Sequence, residues 1–288
     1  MTQQIAFQGE PGAYSHQACQ QARPDMQVIA CRTFEDAIEA VRQGHAQLAM
    51  LPVENSIYGR VADIHHLLPQ SGLHIVDEVF VRVCINLLAL PGSQLSQIRT
   101  AMSHSVLLGQ CRTFLARHSI QRRIGPDTAG SARRVAELAK PELAALASDL
   151  AGEIYGLESL ATNIEDHPNN TTRFLIMGPE ANHERRGASQ MITTFVFQVR
   201  NIPAALYKAM GGFATNGVNM TKLESYMVDG NFAATQFYAD IEGHPDDAPV
   251  RRALEELEYF TTMLRILGVY PSDEQRYSRR GTHLRDTD

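Results

Sequence analysis

The chain lacks the sequence signals of metal, redox and nucleotide sites. It has four cysteines in 288 residues, and no two of them form a C-x-x-C pair, so their spacing does not favour a zinc or dithiol centre. It also has no glycine fingerprint for a dinucleotide and no Gly-Lys-Ser/Thr phosphate loop. We therefore expect a protein that uses neither a metal nor a cofactor.

Signals of export, membrane insertion and nucleic-acid binding are missing as well. Residues 1–4 lead directly into an apolar stretch and have neither the basic segment nor the apolar run of a signal peptide. The longest apolar candidate, Val79–Leu90, contains Arg82 and Asn86 and falls short of the roughly 20 residues that span a bilayer. A net charge of −6 argues against a nucleic-acid partner. We expect a cytoplasmic protein that binds neither membranes nor nucleic acids.

Residues 4–180 alternate between short apolar runs and helical patterns, which predicts an α/β domain with largely parallel sheets. The predicted strands are Ile5–Gln8, Val28–Arg32, Leu48–Val53, Ala101–Met102, Leu143–Ala147 and Phe174–Met177. The predicted helices are Tyr14–Ala22, Phe34–Arg42, Val61–Leu68, Val106–Arg117, Ser131–Ala139 and Leu150–Tyr155.

The long apolar segment Ile75–Leu90 is predicted to be one extended crossover between two α/β lobes. The strand near residues 173–177 is predicted to be a second crossing between them. Two crossings would join two lobes around a ligand cleft, with one lobe at about 1–78 plus 160–180 and the other at 79–159. A single continuous sheet remains the alternative.

After a polar linker at 181–190, the pattern changes to βαββαβ, the ferredoxin-like order. Predicted strands are Thr193–Val199, Asn219–Met227, Phe232–Ile241 and Met263–Val269, and predicted helices are Ala204–Ala214 and Pro249–Tyr259. Asp229-Gly230 predicts a hairpin turn between the middle strands. This second domain would span 191–271, and the polar tail 272–288 is predicted to be disordered.

The most informative stretch is residues 169–174, Asn-Asn-Thr-Thr-Arg-Phe. It places the hydroxyl of Thr172 beside the permanent cation of Arg173 at the start of an apolar strand, where α/β proteins commonly hold ligands. An ordinary polar turn is the alternative.

Four loops that precede predicted helices carry similar polar residues, namely 9–15, 54–59, 103–105 and 127–130. Helix starts suit carboxylates and phosphates, so several converging loops could hold a dianion. For any one of these loops taken alone, simple helix capping is the favoured explanation.

Several motifs follow one another along the first domain, namely Phe7-Gln8-Gly9-Glu10-Pro11-Gly12-Ala13-Tyr14-Ser15, Leu51-Pro52-Val53-Glu54-Asn55-Ser56, Ser103-His104 with Gln110-Cys111, Thr128-Ala129-Gly130, Ile154-Tyr155-Gly156-Leu157 and Asn170-Thr171-Thr172-Arg173-Phe174. In these motifs, and over nearly its whole length, the chain resembles prephenate dehydratases fused to a C-terminal ACT domain. The resemblance implies a two-lobed catalytic domain like that of periplasmic binding proteins, in a homodimer or homotetramer. It also implies conversion of prephenate to phenylpyruvate without a cofactor.

The resemblance also implies roles for individual residues. Thr172 would be essential and would act on the leaving hydroxyl, while Glu54 would supply a relay proton or position Asn55. Arg173 would bind a substrate carboxylate or form a structural ion pair. Substrate-binding residues would be Asn55, Ser56, Ser103, His104, Gln110, Thr128, Arg173 and Phe174. The family often has Ser-His-Pro-Gln where this chain has Ser103-His104-Ser105-Val106, so that glutamine has no counterpart.

The second domain resembles an ACT module that senses L-phenylalanine between the ACT domains of a dimer. Allosteric residues implied by the resemblance are Ala205, Leu206, Asn216, Gly217, Glu224 and Ser225. Two departures are visible, because Ala204 replaces the family's first glycine and Tyr226-Met227 replaces Arg-Pro. We expect an altered affinity or response, and a domain that only dimerises is the alternative.

Two rival functions stay open at the level of sequence. An arogenate dehydratase would differ by one amino group on the substrate side chain, and no residue decides between the two substrates. A non-catalytic amino-acid-binding regulator is the rival from another class.

Overall fold

The computed structural model describes residues 3–186, 190–227 and 234–277. These fall into two compact units, one formed by residues up to 65 together with 79–174, and the other by 66–78 together with residues from 175 onward. The domain limits at 180 and 191, and the lobe limits given above, stay predictions.

The first unit begins with a lobe built on parallel strands. Its elements are β1 (Gln4–Gln8), α1 (Tyr14–Ala22), β2 (Gln27–Cys31), α2 (Phe34–Arg42), β3 (Leu48–Asn55), the short β4 (Gly59–Arg60) and α3 (Ala62–Leu67). Strand β1 pairs in parallel with both β2 and β3, and its residues Ile5, Ala6 and Phe7 are fully buried. A short, wholly apolar run is typical of a parallel strand covered on both faces.

Strand β5 (His74–Arg82) then leads to a second lobe with its own sheet. Its elements are β6 (Asn86–Ala89), β7 (Thr100–Ser103), α4 (Ser105–Gln110), α5 (Arg112–Arg117), β8 (Gln121–Ile124), α6 (Thr128–Leu138), β9 (Leu143–Ala147), α7 (Asp149–Tyr155) and β10 (Glu158–Ala161). The strand order is β10-β6-β9-β7-β8. Strand β7 is parallel to β8 and β9, whereas β6 is antiparallel to β9 and β10, so this sheet is mixed rather than largely parallel.

Two crossing segments connect the lobes and hydrogen-bond to each other. Val83 N donates to Asn170 O at 2.9 Å, and Ile164 N donates to Ile85 O at 2.9 Å. After the second crossing, β11 (Thr171–Gly178) returns beside β3. The predicted two-lobed arrangement is confirmed, and the alternative of one continuous sheet is wrong because the lobes have separate sheets.

The predicted extended segment 75–90 is broken, because Val83 and Ile85 bond to the other crossing rather than to a sheet. The predicted helix Val106–Arg117 is also divided in two. The carboxylate of Asp166 accepts from the N–H groups of Arg112 and Thr113 at 3.0 and 3.1 Å, which starts a new helix after Cys111. Strands β8 and β10 had no counterpart in the prediction.

The second unit contains the predicted βαββαβ order. Its elements are β12 (Met191–Val199), α8 (Ala205–Thr215), β13 (Met220–Met227), β14 (Ala234–Glu242), α9 (Ala248–Phe260) and β15 (Thr261–Pro271). The strand order β13-β14-β12-β15 is antiparallel, and Phe195, Phe197, Phe213 and Leu257 pack between the sheet and the helices. The predicted ferredoxin-like fold is therefore confirmed.

The predicted Asp229-Gly230 turn and most of the predicted polar tail lie outside the described residues. In the ranges that the structure covers, no helix is both long enough and apolar enough to span a membrane.

Candidate active site

Asn55, at the end of β3, connects Thr172, near the start of β11, with Asn170, which immediately precedes that strand. Its Nδ2 donates to Thr172 Oγ1 at 3.0 Å and to Asn170 Oδ1 at 2.7 Å. Its Oδ1 accepts from the N–H groups of Ile57 and Tyr58 at 3.0 and 3.1 Å, which fixes the orientation of the carboxamide. Because Asn55 donates to Thr172, the Thr172 hydroxyl proton is available to a group other than Asn55.

Ser56 fastens the loop after β3 to the same turn. Its hydroxyl donates to Asn169 O at 2.9 Å and accepts from Thr171 N at 3.0 Å, and its own N–H donates to Thr171 O at 2.8 Å. These main-chain contacts hold Asn55 opposite Thr172, so Ser56 shapes the site through the backbone.

Glu54 and Arg173 form an ion pair on the same two strands. Arg173 Nη1 lies 3.0 Å from Glu54 Oε1, and the side chains are 1% and 31% exposed, respectively. The guanidinium is therefore enclosed, while the carboxylate reaches the surface of the lobe. Phe174 follows with 1% exposure and is part of the buried core.

The second lobe contributes the ends of β7 and α4. The hydroxyl of Ser103 is fully buried and donates to Leu146 O at 2.7 Å, while the exposed His104 caps α4 by accepting from Val106 N at 3.3 Å. Gln110 is 5% exposed, and its Oε1 has no hydrogen-bond partner among the described residues.

The loop after β3 lies close to α4. The hydroxyl of Tyr58 is 3.5 Å from the position that a Cβ atom would take on Gly109. Gln110, the next residue, therefore belongs to the helix that faces the Asn55 loop. Tyr58 was not among the predicted site residues, and an exposed tyrosine has no distinctive spacing in the sequence that could have revealed it.

Thr128 begins α6 and is half-buried. The helix is capped by Asp127, whose Oδ1 accepts from Gly130 N at 2.7 Å. Asp127 also lines a cavity of about 270 Å³ together with Gln8, Gly9, Glu10, Ala30, Cys31 and Arg32. The start of α6 thus lies opposite the ends of β1 and β2, although Asp127 itself, like Arg32, was not among the predicted site residues.

The loop between β1 and α1 binds directly to the second lobe. Ser148 Oγ donates to Gly12 O at 2.6 Å, and Tyr155 OH donates to Pro11 O at 2.8 Å. A Cβ atom on Gly12 would lie 2.7 Å from Ala151 Cα, so only glycine permits this approach. Ser148 was missed, although a serine between an apolar strand and a helix is the same signal that marked the other four loops.

Burial perturbs ionisable groups near this contact. It raises the pKa of the Tyr14 phenol, whose hydroxyl donates to Cys84 O at 2.8 Å, well above its usual range. It lowers the pKa of His16, whose Nδ1 accepts from Gly12 N at 3.0 Å. It raises the pKa of Cys19 to about 12 and raises that of Cys111 as well, as expected for structural thiols.

The residues with predicted allosteric roles are dispersed in the second unit. Ala205 and Leu206 line a cavity of about 250 Å³ at the start of α8. Asn216 and Gly217 instead end that helix, with Asn216 Nδ2 also donating to Glu256 Oε1 at 3.0 Å. Glu224 pairs with Lys222 at 3.4 Å, and Ser225 lies in β13 opposite Phe237.

Comparison with known proteins identifies the family. The family model for prephenate dehydratase matches residues 5–182, which include both lobes and the whole of the Asn55–Thr172 site. The chain belongs to the prephenate dehydratase family.

Individual relatives extend the similarity over the second unit. A bifunctional N-acyl-homoserine lactone acylase/prephenate dehydratase of Komagataeibacter europaeus is 50% identical over 272 residues, 94% of this chain and 97% of the relative. Arogenate dehydratase/prephenate dehydratase 1 of Arabidopsis thaliana is 38% identical over 283 residues, 93% of this chain and 72% of the relative.

A solved structure agrees with the fold. The prephenate dehydratase of Arthrobacter aurescens in complex with L-Phe has a TM-score of 0.85 and 32% identity, covering 93% of this chain and 90% of that one.

Proposed function

We propose that this protein is a prephenate dehydratase that converts prephenate to phenylpyruvate. The observation that carries the proposal is the direction of the hydrogen bond from Asn55 Nδ2 to Thr172 Oγ1. It leaves the Thr172 proton to be donated elsewhere, as a group that assists a departing hydroxyl requires.

The reaction needs little chemistry from the protein. The bond from the ring to its carboxylate breaks and releases carbon dioxide, and the electron pair forms a ring double bond. The carbon–oxygen bond at the opposite ring carbon breaks, and the hydroxyl leaves as water with one proton taken up from solvent. Thr172 is a weak acid, so it donates a hydrogen bond within a relay instead of ionising.

The other residues prepare this step. Asn55 orients Thr172, and Ser56 holds Asn55 through the backbone. Arg173 pairs with the carboxylate of Glu54 at 3.0 Å, and Glu54 is proposed either to position Asn55, its neighbour in β3, or to supply a proton to the relay. Ser103, His104 and Gln110, from the second lobe, and Thr128 at the start of α6 are proposed to orient the substrate, and Phe174 supports β11 from the core.

Arogenate is the alternative substrate, favoured by the relative in Arabidopsis thaliana that is described as acting on both compounds. The test supplies purified protein with prephenate and, separately, with arogenate, and quantifies phenylpyruvate and phenylalanine. Release of phenylpyruvate from prephenate supports the proposal. No product from either substrate would refute it and would favour a binding regulator.

Hydrolysis of N-acyl-homoserine lactones is a second candidate activity. It is favoured by the bifunctional relative with 50% identity over 94% of this chain. The test measures release of homoserine lactone by wild type and by Thr172→Ala. Equal release by both would show an activity independent of the dehydratase site, and no release by wild type would exclude it.

The second unit is proposed to act as an ACT domain that binds L-phenylalanine in a homodimer or homotetramer. The complex of the Arthrobacter aurescens relative with L-Phe and the cavity lined by Ala205 and Leu206 support this. Calorimetric titration with phenylalanine tests it, and absence of heat would favour a domain that only dimerises.

A further inference from the structure

Asn170 is a buried polar residue in the candidate site, and the amide nitrogen of its side chain makes no hydrogen bond to the described residues. The residue is 1% exposed. Its Oδ1 accepts from Asn55 Nδ2 at 2.7 Å, whereas its Nδ2 has no hydrogen-bond partner among the described residues. A buried donor without a partner is costly, so a native structure that retains one calls for an explanation.

The surroundings of Asn170 connect this donor to the reacting group. The atom that binds its oxygen, Asn55 Nδ2, also lies 3.0 Å from Thr172 Oγ1. Asn170 Oδ1 and Thr172 Oγ1 therefore accept hydrogen bonds from the same amide nitrogen, which places the Asn170 side chain near the Thr172 hydroxyl. Its backbone is fixed too, because Asn170 O accepts from Val83 N at 2.9 Å in the other crossing segment.

We propose that Asn170 Nδ2 donates a hydrogen bond to an oxygen of the bound substrate, next to the group held by Thr172. This inference rests on the proposed dehydratase function. It assigns the two halves of the side chain separate tasks, with Oδ1 positioning Asn55 and Nδ2 binding the substrate. A dianionic cyclohexadiene offers carboxylate and hydroxyl oxygens as acceptors, and a neutral donor binds them without adding charge to the site.

The two tasks are separable by substitution. Asn170→Asp keeps an oxygen that accepts from Asn55 but removes the donor, whereas Asn170→Ala removes both. Asn169→Asp is the matched control, since it adds the same charge one residue away at an exposed position. The dissociation constant for prephenate is measured in the Thr172→Ala background, where turnover does not interfere.

We expect both substitutions of Asn170 to weaken prephenate binding about tenfold to a hundredfold, as for loss of a hydrogen bond to a charged group, and Asn169→Asp to change it less than about threefold. Weak binding by Asn170→Ala with normal binding by Asn170→Asp would overturn the proposal, because Asn170 would then act only through Asn55.

A crystal structure of Thr172→Ala with prephenate provides a test that does not depend on the stability of either Asn170 variant. We expect a substrate oxygen within about 3.2 Å of Asn170 Nδ2, and none within about 3.5 Å would contradict the inference. If the wild-type protein turns over neither prephenate nor arogenate, the proposed function fails. Turnover by wild type together with a negative result at Asn170 would refute only the inference.

Discussion

Asn55 Nδ2 donates to Thr172 Oγ1 at 3.0 Å, while Asn55 Oδ1 is held by two main-chain N–H groups. The pair thereby sets the direction in which the threonine can donate. The role proposed for Thr172 depends on this polarity.

The substitution Asn55→Asp is expected to reverse the direction of the hydrogen bond between residue 55 and Thr172. A carboxylate can only accept, so it would draw the Thr172 proton away from the substrate while keeping its contacts with Ile57 N and Tyr58 N. We expect kcat to fall by about two to four orders of magnitude, the range lost when proton donation in the transition state is removed. Asn55→Ala is the control and should lose less, because it does not capture the proton. A smaller loss in Asn55→Asp than in Asn55→Ala would contradict this polarity.

Gly12→Ala is expected to disturb the contact between the lobes. Its φ is +91°, and the added Cβ would lie 2.7 Å from Ala151 Cα. Gly44→Ala is the matched control, because Gly44 has φ +75° with no atom within 4 Å of the added Cβ. Both variants carry backbone strain, but only Gly12→Ala also overpacks the contact. We expect this overpacking to lower the free energy of unfolding by about a further 1–3 kcal/mol. Equal loss of stability in the two variants, measured by denaturant unfolding, would show that the contact tolerates a side chain.

His16 should make stability depend on pH. Burial lowers its pKa in the folded protein, so the unfolded chain binds the proton more readily and acidification favours unfolding. Its contribution is present above the unfolded pKa of about 6.5 and is lost as pH falls through that value toward the lowered folded pKa. The thermal midpoint of wild type should therefore fall more between neutral and mildly acidic pH than that of His16→Gln. The same fall in both proteins would exclude His16 as the cause.

Ala204 precedes α8 in a left-handed conformation, with φ +61°. Ala204→Gly removes this strain and should raise stability by about 1 kcal/mol or less, since glycine also makes the unfolded chain more flexible. Ala214→Gly makes the same chemical change inside the exposed end of α8 and should lower stability by about 1 kcal/mol. Thermal unfolding of both variants tests whether Ala204→Gly gains stability while Ala214→Gly loses it. A loss of stability in Ala204→Gly would contradict the conclusion that Ala204 is strained.

Sequence patterns predicted those strands and helices whose formation depends on residues close together in the sequence. The buried strand through Ile5 and Phe7 and the capped helix after Thr33 follow from apolar runs and an N-cap close in sequence. The division of the predicted helix 106–117 could not be foreseen, because the cap is Asp166, more than 50 residues away. Strand β8 was missed because all four of its residues are exposed and three are polar.

In the candidate site, too, contacts between residues distant in sequence could not be predicted from local patterns. The motifs drew attention to Thr172 and Asn55, but the polarity of their hydrogen bond follows only from the main-chain donors around Asn55. Asn170 belonged to a matching motif without a role, and its unused donor is visible only once its oxygen is seen to bind Asn55. Ser148, in contrast, could have been found from its position between an apolar strand and a helix.

The most direct test compares prephenate turnover by the wild-type protein and by Thr172→Ala at equal concentration, after thermal unfolding has shown both to be folded. We expect the wild type to release phenylpyruvate and the variant to lose turnover by about two orders of magnitude or more. Turnover within about threefold of wild type in a folded Thr172→Ala protein would contradict the proposed role of this hydroxyl.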